Sequence, residues 1–331
     1  MAMDQDTRER ILDCLKDRLD QFVSGEEMGR RLGISRTAVW KHIQALREAG
    51  YEIEAQSRSG YRLRRIPDRL YPEEVKKNLK TSWLGHVLIY LEETSSTNWI
   101  ARELAEKGCS SGAVVVAESQ TQGRGRRGRF WHSPSGKGLW FSVVLRPQVE
   151  PFQAPQLTLL TGVAVAQAVK RFTGLPVGLK WPNDLWVGGK KLGGILTEIK
   201  AEMDAVEYVV VGIGLNVNLE NSDFPEELRG TATSLLLSLN KKIPRVALLQ
   251  EILRSLEKIY ELWQEEGFDP VRRAWKEASC ILDREVEIRS GDGVYRGIAL
   301  DIDGEGALLV RTGEGEIRRF LSGEVSLRVR D

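Results

Sequence analysis

The sequence predicts an α+β protein in three parts: an N-terminal winged helix-turn-helix, a central mixed α/β domain and a small C-terminal β-barrel. Three observations predict it. Between Ile11 and Leu46 apolar side chains recur at helical spacing between helix caps. From His86 onward short apolar runs alternate with longer helical stretches, and after Cys280 short strands follow one another between Gly and Asp turns. The chain has 331 residues, more than the roughly 250 to 300 that one core usually serves. The expected divisions are 1–66, 67–278 and 279–331.

The N-terminal part reads as three helices and a hairpin. Ile11, Leu12, Leu15, Leu19 and Phe22 repeat at helical spacing behind Asp6 and Glu9, a cap with a reciprocal carboxylate. Ser24 with Glu27 repeats that pattern before a short helix carrying Met28 and Leu32, which Gly33 ends. Ser35 caps a third helix whose Val39, Ile43 and Leu46 face inward, and Gly50 closes it. Tyr51 to Ala55 and Tyr61 to Leu63 alternate about a turn at Ser57 to Gly60, as a hairpin wing should. A third helix placed in this way fits a major groove, so Ser35, Arg36, Thr37, Trp40 and Lys41 are candidate DNA contacts. Arg58, Arg62, Arg64 and Arg65 are candidate phosphate contacts. A three-helix domain with a solvated basic face, used for subunit contacts, is the alternative.

Charge agrees with a nucleic-acid face even though the whole chain is only +1. From Arg30 to Arg65 there are nine Lys or Arg against three Glu, and from Ser119 to Val149 six basic residues and no acidic one. Apolar residues make up 41% and charged residues 29%, the balance of a folded soluble protein. No apolar run is long enough for a bilayer span, and Met1 to Arg10 lacks the blocks of a signal peptide, so a cytoplasmic location without membrane contact is expected. Cys14, Cys109 and Cys280 lie far apart, as do His42, His86 and His132, so spacing proposes no disulfide framework, zinc site or Ser-His-Asp triad.

The central part holds strands at Val87 to Leu91, Val114 to Ala117, Leu139 to Leu145 and Val206 to Val211, with helices at Leu157 to Phe172 and Val246 to Trp263. Directly after the strand ending at Ala117 comes Gln120-Thr-Gln-Gly-Arg-Gly-Arg-Arg-Gly-Arg129, three glycines among four arginines. Glycines let backbone amides approach a ligand, and arginine forks hold phosphate or carboxylate oxygens. A flexible basic loop or an arginine-glycine nucleic-acid segment would look the same. No G-x-x-x-x-G-K-[ST] string is present, which excludes the common phosphate-loop route to ATP. In Leu179-Lys-Trp-Pro-Asn-Asp184 a lysine closes an apolar run at a turn, well placed as a fixed charge beside oxyanions. Val211-Gly-Ile-Gly-Leu-Asn216 is a strand where glycines admit a ligand or a backbone.

These three clusters, together with Thr94-Ser-Ser-Thr-Asn98 and in this order, resemble the biotin protein ligase family from about Ser96 to Val217. With the helix-turn-helix in front and the β-rich tail behind, the chain is similar to the bifunctional kind, a ligase that also represses biotin genes. The resemblance implies activation of biotin with ATP, and magnesium, to biotinyl-5′-AMP, then transfer to a lysine of a biotin carboxyl carrier protein. It implies an SH3-like fold for the tail, operator DNA as a partner and a homodimer when the adenylate is bound. Ser96, Thr97 and Gln120 match positions that hydrogen-bond the biotin rings, with Asn98 beside them. Gly123, Arg124, Arg126 and Arg127 match the loop closing over the adenylate, and Trp131 an aromatic near the adenine. Lys180 matches the lysine touching both the biotin carboxylate and the α-phosphate, so Lys180, Arg126 and Arg124 are the catalytic candidates. Asn183 and Asp184 would assist phosphate or magnesium, and Gly193, Gly194, Gly212, Gly214 and Asn216 would line the pocket and nucleotide. Two other readings remain open: a ligase for lipoate or another small acid, and a ligand-responsive transcription factor without catalysis.

Overall fold

The computed structural model describes residues 2–202, 205–291 and 293–327. It divides into two compact units, Met1–Asp68 and Arg69–Asp331.

The first unit contains helices α1 (Ala2–Lys16), α2 (Gly25–Leu32) and α3 (Arg36–Glu48), followed by the antiparallel hairpin β1 (Glu52–Gln56) and β2 (Gly60–Arg65). Ile11, Leu12, Leu15, Met28, Val39, Ile43 and Leu46 form its buried centre. Ser24 and Ser35 cap α2 and α3 through their hydroxyls, and Gly33 ends α2 at φ +70. Three local readings are corrected. Asp6 lies inside α1 instead of capping it, and α1 stops at Lys16, leaving Leu19 54% exposed. The apolar role expected of Leu19 passes to Val23, which is buried and bridges Tyr61 of the hairpin. Glu27 does not complete a capping box; its carboxylate pairs with Arg18 at 2.9 Å.

The second unit is built on a seven-stranded sheet in the order β3-β4-β5-β9-β8-β7-β6. Its strands are β3 (Leu88–Thr94), β4 (Val114–Gln120), β5 (Gly138–Leu145), β6 (Gly178–Lys180), β7 (Asp184–Val187), β8 (Lys190–Glu202) and β9 (Ala205–Asn216). β3 and β4 are parallel and the other neighbours antiparallel. Helix α4 (Pro72–Lys77) precedes the sheet, α5 (Thr97–Glu106) follows β3, α6 (Pro155–Thr173) follows β5, and α7 (Leu235–Leu239), α8 (Arg245–Glu266) and α9 (Asp269–Ala278) follow β9.

Side chains alternate across a pleated strand, and here the alternation separates core from site. Phe141, Val143, Val211, Ile213 and Ile195 point to the face that packs with α6 and α8 in the main core. The other face carries Ser142, Gly212 and Leu196 in one cross-strand row and Trp140, Gly214 and Gly194 in the next. Short α5 covers one part of it, through Ala101 and Ala105 on Val115, Val144 and Val210, and Trp131, Leu219 and Phe224 pack around Trp140 on another. An ion pair with both side chains buried, Arg245 to Glu118 at 2.9 Å, ties α8 to β4.

The C-terminal strands β10 (Glu285–Ser290), β11 (Gly293–Ile302), β12 (Leu308–Thr312), β13 (Ile317–Phe320) and β14 (Glu324–Leu327) form an antiparallel sheet in the order β13-β12-β11-β10-β14. Val286, Ile288, Leu308 and Val310 belong to the same apolar cluster as α6 and α8. The Trp181 indole donates to Gly306 O at 2.9 Å, fixing this sheet beside the strand ends that carry the site. Among the described residues no helix is long and apolar enough to cross a membrane.

Candidate functional site

One cross-strand row organises the site: Lys180, Asp184, Gly194, Gly214 and Trp140 are successive register partners from β6 to β5. Charge sits at one end of the row and bare backbone in its middle. A Cβ on Gly214 would lie 2.4 Å from the Trp131 indole nitrogen, and one on Gly212 2.1 Å from Asn98 Oδ1. These two positions therefore let an indole and an amide lie directly on the sheet.

Two cavities meet there. The smaller, about 50 Å³, is lined by Ser96, Thr97, Asn98, Gln120, Arg124, Gly194, Gly212 and Gly214 among others. The larger, about 480 Å³, is lined by Arg126, Arg127, Lys180, Asp184, Trp186, Asn216 and an apolar wall of Phe224, Leu228 and Ala232. Gly125, Trp131, Asn183 and Lys191 line both.

The polar groups of the smaller cavity are held before any ligand arrives. Gln120 Oε1 accepts from the Thr97 amide at 2.9 Å, and Gln120 Nε2 donates to Ser133 Oγ at 2.9 Å. Ser142, fully buried, lies 2.7 Å from Thr97 Oγ1 and donates to Asn98 Oδ1 at 2.6 Å. Asn98 Nδ2 donates on to Glu198 at 2.8 Å. Such a network sets each donor and acceptor direction, which is how a small pocket discriminates among polar ligands.

The arginine loop folds back on itself. Trp131 N donates to Gly123 O at 2.8 Å, Gly125 N to Arg129 O at 2.7 Å, and Arg127 takes a left-handed φ of +57. Its outer edge is held by the C-terminal sheet: Arg129 binds both oxygens of Glu324 at 2.6 and 2.7 Å, and Arg126 donates to Gly323 O at 3.1 Å. Burial pushes the Arg126 guanidinium below its ordinary pKa, as expected for a cation without an anion against it.

Lys180 is likewise half-buried, its ammonium 4.2 Å from the centre of the Trp186 ring. Burial pushes its pKa below the usual lysine value, against the pull of Asp184 and with the repulsion of Lys191. Asp184 pairs with Lys191 at 2.6 Å. The buried indole nitrogens of Trp131 and Trp186, both at the larger cavity, have no hydrogen-bond partner among the described residues. Unpaired donors beside under-compensated cations suit an oxyanion-rich ligand.

Most of the residues singled out in the sequence thus come together, with two exceptions. Gly193 falls on the opposite face of β8, where a Cβ would meet Leu185 and Leu215, because the pleat sends neighbouring residues to opposite sides. Gly123 lies behind the loop, where a Cβ would meet Trp131 O at 2.5 Å, and serves the turn instead of lining either cavity. Sequence reading also missed Lys191, Ser142, Trp186 and Glu324. Of these only Lys191 left a signal, in the Gly188-Gly-Lys-Lys191 turn that returns the chain to the site. In the first unit Ser35, Arg36, Thr37, Trp40, Lys41 and Arg58 are all exposed. The wing arginines are less free than expected, since Arg62 and Arg64 both bind Glu54 and Arg65 binds Glu52.

Comparison with known proteins follows the same division. Residues 90–216 match the biotin/lipoate A/B protein ligase family, residues 7–62 a helix-turn-helix domain, and residues 281–328 the biotin protein ligase C-terminal domain. The chain is 43% identical over 320 residues to the bifunctional ligase/repressor BirA of Bacillus subtilis, covering 97% of this chain and 98% of that one. It is 33% identical to the protein of the same name from Escherichia coli, over 93% and 94% of the two chains. Among solved structures, the biotin protein ligase of Aquifex aeolicus in complex with biotin and ATP matches with a TM-score of 0.64 and 35% identity, covering 73% of this chain and 99% of that one.

Proposed function

Because the chain belongs to the biotin protein ligase family, in its bifunctional ligase and repressor form, we propose that it activates biotin with ATP, passes it to a carrier lysine, and represses transcription with the adenylate bound. The observation that carries this reading is the pair of cavities meeting at Trp131, Asn183 and Lys191, with Lys180 and Asp184 on the same row.

The biotin ring system occupies the smaller cavity, its polar atoms met by Ser96, Thr97, Asn98 and Gln120, and its carboxylate directed toward Lys180. ATP occupies the larger one, its adenine between Trp131 and the wall of Phe224, Leu228 and Ala232. A carboxylate oxygen attacks the α-phosphorus; a new P–O bond forms, the bond to the β-phosphate breaks, and pyrophosphate leaves. Two anions must approach one another, so the barrier is largely electrostatic. Lys180, Lys191, Arg124 and Arg126 lower it as preorganised cations, whose attraction is strengthened where water is excluded. In the second step a carrier lysine amine attacks the acyl carbon of the anhydride; the C–N bond forms, the bond from acyl carbon to the phosphate oxygen breaks, AMP departs and the amine proton passes to water.

Magnesium would come bound to the nucleotide and supply charge neutralisation at its phosphates. Among the described residues no three His, Cys, Asp or Glu side chains form a cage. Asp184 at the cavity, its Oδ1 already paired with Lys191, would offer one carboxylate oxygen to an ion that takes its remaining ligands from phosphates and water. The division of labour follows 1–66 for operator DNA, 67–278 for biotin and ATP, and 279–331 as an SH3-like domain steadying the arginine loop. The setting is the cytoplasm, and the repressing form is a homodimer.

ATP–pyrophosphate exchange by the purified chain with biotin, with lipoate and with no acid tests the reading. Exchange that requires biotin supports it; exchange that prefers lipoate reassigns the substrate. No exchange with any acid leaves a DNA-binding sensor.

A further inference from the structure

Trp40 is the one large apolar side chain on the outer face of α3, and it is 51% exposed. Val39, Ile43 and Leu46 bury the opposite side of that helix, which commits Trp40 to the surface. Its position is nevertheless fixed. Trp40, Gln44 and Arg47 form a stripe at helical spacing. With the Gln44 amide turned so that its oxygen meets donors, it accepts from Trp40 Nε1 at 3.1 Å and from Arg47 Nη1 at 3.2 Å. Arg47 is anchored in turn, donating through Nε at 2.9 Å and Nη2 at 2.7 Å to Ile53 O in β1.

Indole has one donor and no acceptor. Once that N–H is given to Gln44, what Trp40 offers to the outside is purely apolar. It has no hydrogen bond left to give to a base edge. In the major groove the apolar feature of a base pair is the thymine C5 methyl. We infer that Trp40, held by Gln44 and Arg47, reads a thymine methyl by apolar contact, and so acts as a specificity determinant of the DNA-binding unit. This rests on the DNA-binding reading above and adds the chemistry of one contact.

The test uses the full chain with biotin and ATP. Duplexes that it retains are selected from a random-sequence library, and each thymine of the tightest is replaced singly by deoxyuridine, which removes only the methyl group. Burying one methyl group is worth about 0.8 kcal/mol, roughly a fourfold change in Kd. One thymine per half-site should therefore cost the wild type about fourfold on replacement. Trp40→Ala should bind the thymine and uracil duplexes equally, and Trp40→Phe should keep part of the difference. Gln44→Ala, which leaves the indole in place but unheld, should shrink the difference as well.

The inference is overturned if no replacement matters to the wild type, or if Trp40→Ala binds more weakly yet still distinguishes thymine from uracil. The second result would mean that the indole packs on sugar or backbone and reads nothing. If no duplex is enriched at all, the DNA-binding reading itself fails, which separates the two failures.

Discussion

At Lys180 an ammonium group stands half out of water between an indole and a carboxylate that another lysine already holds. A cation in that setting is poorly compensated until anions arrive, which is why it can act on a transition state more strongly than on the free protein. Lys180→Ala should slow single-turnover adenylate formation by about two to three orders of magnitude, the scale for losing one preorganised donor. The depressed pKa adds a second readout. Lys180 acts as the charged form, so activity falls as pH rises through its pKa, which lies below the ordinary 10.5. Lys180→Arg, whatever its absolute rate, should lose that alkaline decline. An unchanged pH profile in the arginine variant would remove Lys180 from the charged step. Lys180 was legible in the sequence because it ends an apolar run at a Trp-Pro turn. For Lys191 only the glycine turn before it was legible, since its partnership with Asp184 depends on a strand pairing that only the folded sheet creates.

Among the elements, the start of β14 and the turn before it hold the arginine loop from outside. Arg129 and Glu324 are 66% and 36% exposed at their side chains, so water discounts the bond despite its two-point geometry. An exposed pair is worth about 1 kcal/mol at most. Glu324→Gln should accordingly raise tryptic cleavage between Arg124 and Arg129 by no more than about fivefold, and identical cleavage rates would show the loop to be held by its own hairpin. The wing offers the converse case. Glu54 is held below the usual carboxylate range by hydrogen bonds from Arg62 and Arg64, and so it occupies two candidate phosphate contacts. Glu54→Gln should tighten binding to a random duplex and steepen its salt dependence by about one to two phosphates' worth; an unaltered slope would mean that the wing stays off the backbone.

Elements with clear periodicity and caps, such as α2, α3, α6 and α8, could be read from the chain. α5 was hidden because its buried positions include Ala101 and Ala105, too small for an apolar stripe, and because its first turn holds Thr97 and Asn98, which the sequence offered as candidate ligand contacts and not as a helix start. β14 leaves little trace in the chain, because Val325 is its one buried residue. Strand β4 runs three residues beyond the apolar run that announced it, carrying Gln120 into the site on a strand and not on the loop.

For the whole molecule, Met1–Asp68 and Arg69–Asp331 are separate compact units, one with an exposed basic helix face and the other with two adjoining cavities lined by lysines and arginines. Joining them is useful only if occupancy of one is felt by the other. The proposed homodimer would supply such a link, because two recognition helices would then share one DNA molecule, with half-site spacing set by the dimer. Biotin with ATP should shift the chain toward dimer in sedimentation and tighten binding to a selected operator duplex by about 5- to 150-fold, the usual range of such couplings. Operator affinity that ignores both substrates would reduce the repressor to a constitutive DNA binder.

The two faces of β9 have a consequence for how this protein can vary. Val211, Ile213 and Leu215 sit in the core, while Gly212, Gly214 and Asn216 alternate with them on the side of the site. Saturation mutagenesis from Val211 to Asn216, the stretch of β9 beyond the part that α5 covers at Val210, should therefore split by parity. At odd positions, changes should lower abundance and be rescued by growth at lower temperature, because they lose packing of about 1 to 3 kcal/mol. At even positions, changes such as Gly212→Ala should leave folded protein that no longer seats Asn98, with a defect that cooling does not relieve but excess biotin does. Selection can thus tune the pocket and the core through adjacent codons almost independently, and a lineage drifting toward a new acid would show its history on alternate residues of a single strand.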